Sequence, residues 1–227
     1  MKLLTLTCCL TILIINVSAQ NTYGVKTGLS LAGLTSSQEG FGAEPEIGFH
    51  LGGYADIPLT DMISFNPEII FSDHGATQKL SGDAIFNGID TSYELNGNLK
   101  MSYLILPLLI RFKPTPLFYF AAGPQLGLIL SARYDYSYSL IMGNGTNTTE
   151  ILEERSGDLK DETQDMELGF SIGTGIELTN GLNFGLRLTH GLTDVYDQGN
   201  SDISMMNEYD HEQVKTIVSQ ISVGYLF

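Results

Sequence analysis

The chain has 227 residues, with 26 Asp and Glu against 11 Lys and Arg and a formal net charge of −15. That balance argues against nucleic acid as a partner, because nucleic-acid binders present basic faces. The two cysteines, Cys8 and Cys9, both fall in the first apolar segment and lack a lipobox, so disulfide and thiolate chemistry are excluded from the rest of the chain.

Lys2, an apolar run from Leu3 to Ile15, and the small residues Val17-Ser18-Ala19 read as a secretory signal spanning residues 1–19. Cleavage is expected between Ala19 and Gln20, leaving 20–227 as one domain. No later stretch approaches the roughly 20 apolar residues of a membrane helix. The greasiest one, Leu104 to Ile110, is short and contains Pro107.

Eight segments then alternate with period two, the signature of half-buried strands: Tyr23–Leu34, Ile47–Leu59, Met62–Asp73, Leu99–Lys113, Leu117–Tyr138, Met166–Thr179, Leu182–Val195 and Val214–Phe227. The seventh is the clearest, with Leu182, Phe184, Leu186 and Leu188 on one face and Asn183, Gly185, Arg187 and Thr189 on the other. Three connections are tight (Thr60-Asp61, Pro114-Thr115-Pro116 and Asn180-Gly181), and Asn-Gly between alternating runs is a strong hairpin signal. Four are long and polar: Thr35–Glu46, His74–Asn98, Ser139–Asp165 and Tyr196–Gln213. The last strand, greasy on one face, stops on the aromatic Phe227, as outer-membrane strands finish. Short turns at one end and long loops at the other predict an all-β fold: an eight-stranded antiparallel up-and-down transmembrane β-barrel in a bacterial outer membrane, with both termini periplasmic. Closure is required, since an open edge in lipid leaves backbone groups unpaired.

An eight-strand barrel has an interior that side chains can fill. Strand parity places Lys26, His50, Asp56, Glu68, Arg111, Arg133, Asp135, Glu167, Glu177 and Arg187 inside. Both signs are present, and buried opposite charges must pair. The expectation is a lumen closed by ion pairs. Phe65, Phe112, Phe118, Tyr134, Tyr136 and Tyr225 are placed in the interfacial aromatic girdles.

The stretch Tyr103-Leu104-Ile105-Leu106-Pro107-Leu108-Leu109-Ile110-Arg111-Phe112 resembles the "Y-L-x-L-P-L-L-x-K/R" strand of the PorT-like outer-membrane β-barrel family of Bacteroidetes, small barrels of the OmpA type. Ala122-Gly123-Pro124, Gly185-Leu186-Arg187-Leu188, Gly191-Leu192, the opening Tyr23 to Ser30 and the terminal Val223 to Phe227 fit the same pattern. The resemblance implies an outer-membrane barrel; for the namesake type it implies an accessory role in protein secretion.

Other candidates read more plainly. The acidic stretch Glu150 to Glu162 and the set Asp194, Asp197, Asp202, Glu208 and Asp210 lack any metal-loop spacing and read as solvated loops. His190 and His211 with nearby Asp194, Asp197 and Asp210 would suit rim catalysis, but His190 falls on the lipid-facing parity, and no nucleophile elbow surrounds Ser201 or Ser204. No catalytic, cofactor or metal site is expected. The chain therefore reads as a non-catalytic barrel acting structurally or through its acidic loops, with outer-membrane lipid, lipopolysaccharide and a loop-bound protein or small molecule as expected partners. A narrow channel for small solutes or apolar ligands, a secretion accessory and a rim enzyme stay open as alternatives.

Overall fold

The computed structural model describes residues 21–35, 43–86, 89–144, 147–160, 163–194 and 214–227. The predicted leader with its Ala19–Gln20 cleavage position lies outside the described residues, as do His211 and the acidic set from Asp197 to Asp210.

Among the described residues nine strands follow in chain order: β1 Thr22–Thr35, β2 Ala43–Pro58, β3 Ile63–Phe86, β4 Ile89–Phe112, β5 Phe118–Asn144, β6 Asn147–Asp158, β7 Met166–Glu177, β8 Leu182–Gly191 and β9 Lys215–Leu226. Every pairing is antiparallel. Eight strands close a ring in the order β1, β2, β3, β4, β5, β7, β8, β9, and β9 returns to β1 in register from Gly24↔Leu226 to Thr35↔Lys215. Closure pairs each strand on both sides, as a spanning sheet in lipid demands. Leu29, Ile47, Leu51, Ile69, Leu186 and Ile221 point outward and are exposed, forming the apolar outer wall.

The three short turns match their residues. Gly181 sits at φ 88°, a left-handed conformation open to glycine at little cost, and the Asn180 side chain accepts from the Leu182 N–H at 3.1 Å. Thr60 Oγ1 accepts from the Ile63 N–H at 3.0 Å, and Thr115 Oγ1 from the Phe118 N–H at 3.2 Å.

At the opposite end the structure departs from expectation. The predicted loop His74–Asn98 is paired backbone, since β3 and β4 continue in register from Asp73↔Ser102 to Phe86↔Ile89. In the predicted loop Ser139–Asp165, β5 runs on to Asn144 and β6 folds back along it from Asn144↔Asn147 to Arg133↔Asp158. A four-stranded extension of β3, β4, β5 and β6 thus rises above the ring, and β6 stands outside the barrel closure. Beyond the hydrocarbon neither face must be apolar, so alternation fades, while the backbone still needs hydrogen bonds.

One irregularity matters for the site. β4 and β5 pair Ser102↔Ser131 and then Tyr103↔Ile129, so Leu130 is an extra residue on β5. This is a β-bulge, which shifts the parity of everything beyond it. Below it Tyr119, Ala121 and Ile129 are buried; above it Ala132 is buried.

Candidate functional site

The lumen is built in layers. Nearest the short turns is an ion-paired layer, with Glu68 at its centre and 2% exposed. Arg187 of β8 forks onto the Glu68 carboxylate, Nη1 to Oε2 at 2.8 Å and Nη2 to Oε1 at 2.7 Å. Lys26 of β1 donates from the other side at 3.1 and 3.3 Å. Paired charge-assisted bonds of this kind are among the stronger ones proteins make.

A second cluster lies closer still to the turns, where the Lys113 N–H donates to the Met62 carbonyl at 2.7 Å. Lys113 Nζ is 2.6 Å from Asp56 Oδ2 and 3.4 Å from Glu177 Oε1, and Ser64 donates to Asp56 Oδ1 at 2.5 Å. Arg111 is within 3.8 Å of Glu177. Its guanidinium carbon sits 4.3 Å from the centre of the Tyr119 ring and 5.3 Å from that of Tyr54. Aromatic faces thus meet a cation whose Nε and Nη1 make no hydrogen bond. Asn183 Nδ2 donates to the Tyr54 hydroxyl at 2.6 Å.

Above the ions is a neutral polar layer. Ser30 Oγ lies 3.0 Å from His50 Nδ1, 3.4 Å from Ser72 Oγ and 3.2 Å from Gln220 Nε2. Gln125 Oε1 accepts from Ser171 at 2.8 Å. The gap bordered by Ile70, His74, Ile105, Gln125, Arg187 and Gln220 leaves no room for a water molecule. Higher still, Ile70, Met101, Tyr103, Ile105, Ile129 and Ala132 form an apolar layer, with Leu99 and Leu159 packed on it. The Ser30–His50 contact has the shape of a nucleophile and base, but both residues are 0% exposed.

Of the expected charge network, the structure brings together Lys26, Asp56, Glu68, Arg111, Glu177 and Arg187. Glu167 faces in but takes the Thr216 hydroxyl rather than a cation. Arg133 and Asp135 do not belong to the network. The extra residue Leu130 turns them to the outside, where both are exposed. The same shift moves Tyr134 and Tyr136 out of the expected girdle, and they stack on each other 6.1 Å apart on the extension. Lys113 was missed, although it continues the parity of Arg111 by one more step. Tyr54 and Tyr119 were missed as well, because a sequence shows no aromatic–guanidinium stack formed between strands. His190 is exposed on the outer wall, and Asp194 accepts from the Val214 N–H at 3.3 Å.

No curated protein matches the chain. Among solved structures it is similar to Ail, the attachment invasion locus protein of Yersinia pestis, at 12% identity, covering 91% of this chain and 99% of that one with a TM-score of 0.45. It is also similar to Neisserial surface protein A at 11% identity (90% and 97% covered, TM-score 0.37) and to the outer membrane protease OmpT of Escherichia coli at 7% (91% and 97%, TM-score 0.39). The family described as outer membrane protein beta-barrel domain matches residues 18–197. The match shows the barrel family and does not single out the PorT-like type. The match spans most of the closed ring, and the chain belongs to this outer-membrane β-barrel family, whose place is the bacterial outer membrane.

Proposed function

We propose that this protein is a non-catalytic surface-interaction barrel, with its long-hairpin end facing outward and both termini periplasmic. The observation that carries the reading is the four-stranded extension. Among the described residues β6 pairs only with β5, so its outer edge is an unpaired strand that shows the exposed carboxylates of Glu153, Glu154 and Asp158. Unpaired edges are templates for adding a strand from a partner. The ion-paired and apolar layers fill the lumen below, which disfavours a transport role.

The PorT-like stretch has a structural use here. Tyr103, Ile105, Pro107, Leu109 and Arg111 all face inward and are buried. Lumen packing accounts for that alternation without a secretion role.

The test is single-channel recording of the refolded chain in a planar bilayer. Silence is expected; stable conductance steps would replace this reading with a channel. For the orientation, trypsin added to intact cells should cut after Arg155, and protection of that bond would reverse it.

A further inference from the structure

The extension has two free edges, and they differ. β3 pairs with β2 only as far as Ala43↔Gln78, so residues 79–86 have no strand on that side among the described residues. That edge is the shorter one and carries Lys79, a residue type that discourages strand addition. β6 has no lysine and no proline, and it pairs with β5 in unbroken register over all of its 12 residues. Ile151 and Leu152 are 46% and 61% exposed, one on each of its faces. A long, flat edge that shows aliphatic side chains is one that accepts another strand.

The two faces of this edge call for different neighbours. Tyr93, Leu95, Tyr134, Tyr136, Tyr138 and Leu140 share one side of β4 and β5, the side on which Leu99 packs onto the apolar layer of the lumen. This side faces the barrel mouth. The Tyr134 ring reaches over Gly157 of β6, where a Cβ would come within 2.6 Å of it. At β6 the mouth-facing side ends with Ile151 exposed, and Glu153 and Arg155 are paired with each other. On the outward side Glu154 is exposed and has no cation within 4.0 Å among the described residues. Its neighbours there are Asp135, Ser137, Ser139, Leu152 and Ser156, none of them basic. Asp158, by contrast, stands opposite Arg133.

We propose that β6 takes up an extended segment of a partner protein, added edge to edge, with aromatic or aliphatic side chains on the mouth-facing side and a lysine or arginine opposite Glu154. The backbone of β6 supplies the hydrogen bonds, and the side chains set the choice of partner. Opposite charges across neighbouring strands attract. A second copy of this chain fits poorly, because β6 against β6 brings Glu154 and Asp158 of both chains onto one side with no cation from either β6. The inference rests on the surface-interaction reading for its place at the cell exterior. Peptide binding to the purified chain depends on neither conductance nor orientation, so the two fail separately.

The experiment titrates the full chain in nanodiscs against a labelled synthetic peptide that alternates lysine with leucine and tyrosine, read by fluorescence anisotropy with empty nanodiscs as the blank. The parent should bind this peptide and not its glutamate-for-lysine counterpart. E154K should bind the lysine peptide roughly tenfold more weakly and the glutamate peptide better than the parent does. D83K, at the free edge of β3, should match the parent. A lysine peptide N-methylated at alternate residues should lose binding, since it keeps the side chains but not the donors of a strand ladder. Hydrogen exchange should slow along β6 and not along residues 79–86. Heat-shifted gel mobility confirms that each variant is folded. Equal binding of the lysine peptide by E154K, equal binding of the N-methylated peptide, or a dimer of the chain protected at β6 would overturn the proposal.

Discussion

The ring and the extension share β3, β4 and β5, yet the two regions obey different rules. Within the ring β4 alternates Leu104, Leu106, Leu108 and Ile110 outward with Tyr103, Ile105, Leu109 and Arg111 inward, and the contrast with solvent-type sequence is plain. In the extension the same strand reads Thr91-Ser92-Tyr93-Glu94-Leu95-Asn96-Gly97-Asn98, polar on one face and mixed on the other. Backbone pairing runs through both halves, interrupted in the ring near Pro107 and at the Leu130 bulge and unbroken in the extension. The alternation that marks a barrel strand therefore reports lipid on one side, not the strand itself. A second contrast follows: charge is buried and shared in the ring, whereas on the extension it is exposed and screened.

Substitutions should separate the two regions by size of effect. The largest is expected for Glu68→Ala, which leaves Lys26 and Arg187 buried together without their anion. Breaking such a cluster costs about 3–5 kcal/mol. It is measured as the urea midpoint of the refolded barrel in vesicles, and an unchanged midpoint would show that the ion layer is not needed for closure. Tyr119→Leu removes the nearer aromatic face from Arg111, 4.3 Å away. A loss of about 1–2 kcal/mol is expected in the same assay, with little change if Glu177 alone holds the guanidinium. Gly181→Ala forces a side chain onto a φ of 88° and should cost about 1 kcal/mol, seen as slower refolding or a lower midpoint. Glu153→Ala should leave the midpoint where it is, because Glu153 and its partner Arg155 are both exposed and surface pairs contribute little. A measurable drop there would mean that the extension supports the ring, and the division between the regions would fail.

The same division explains what could be read in advance. The eight wall strands and the Asn180-Gly181 turn were legible because lipid and turn geometry each leave a residue pattern. β6 was not, since Glu153, Glu154 and Arg155 are compatible with strand and loop alike. In the candidate site, Lys26, Glu68, Arg111 and Arg187 were legible from parity alone. Arg133 and Asp135 were misplaced by one residue of phase. Leu130, the residue responsible, is an ordinary lipid-facing leucine with no glycine beside it to announce a bulge. Parity carries along a strand only until the first irregularity, and a single chain seldom marks where that is.

β5 changes neighbours midway, lying against β7 up to Leu128 and against β6 from Arg133 onward. At the changeover the chain's departure and return are stitched together: the Leu159 N–H donates to the Ala132 carbonyl at 2.9 Å, and the Ile129 N–H to the Asp165 carbonyl at 3.1 Å. Everything between hangs from a latched doorway whose two posts already belong to the barrel. Such a doorway is a graft point. The hairpin beyond it could be exchanged for an unrelated sequence of different length without moving the register of any wall strand, so this barrel can serve as a display frame and its outer face can diversify while the wall stays the same.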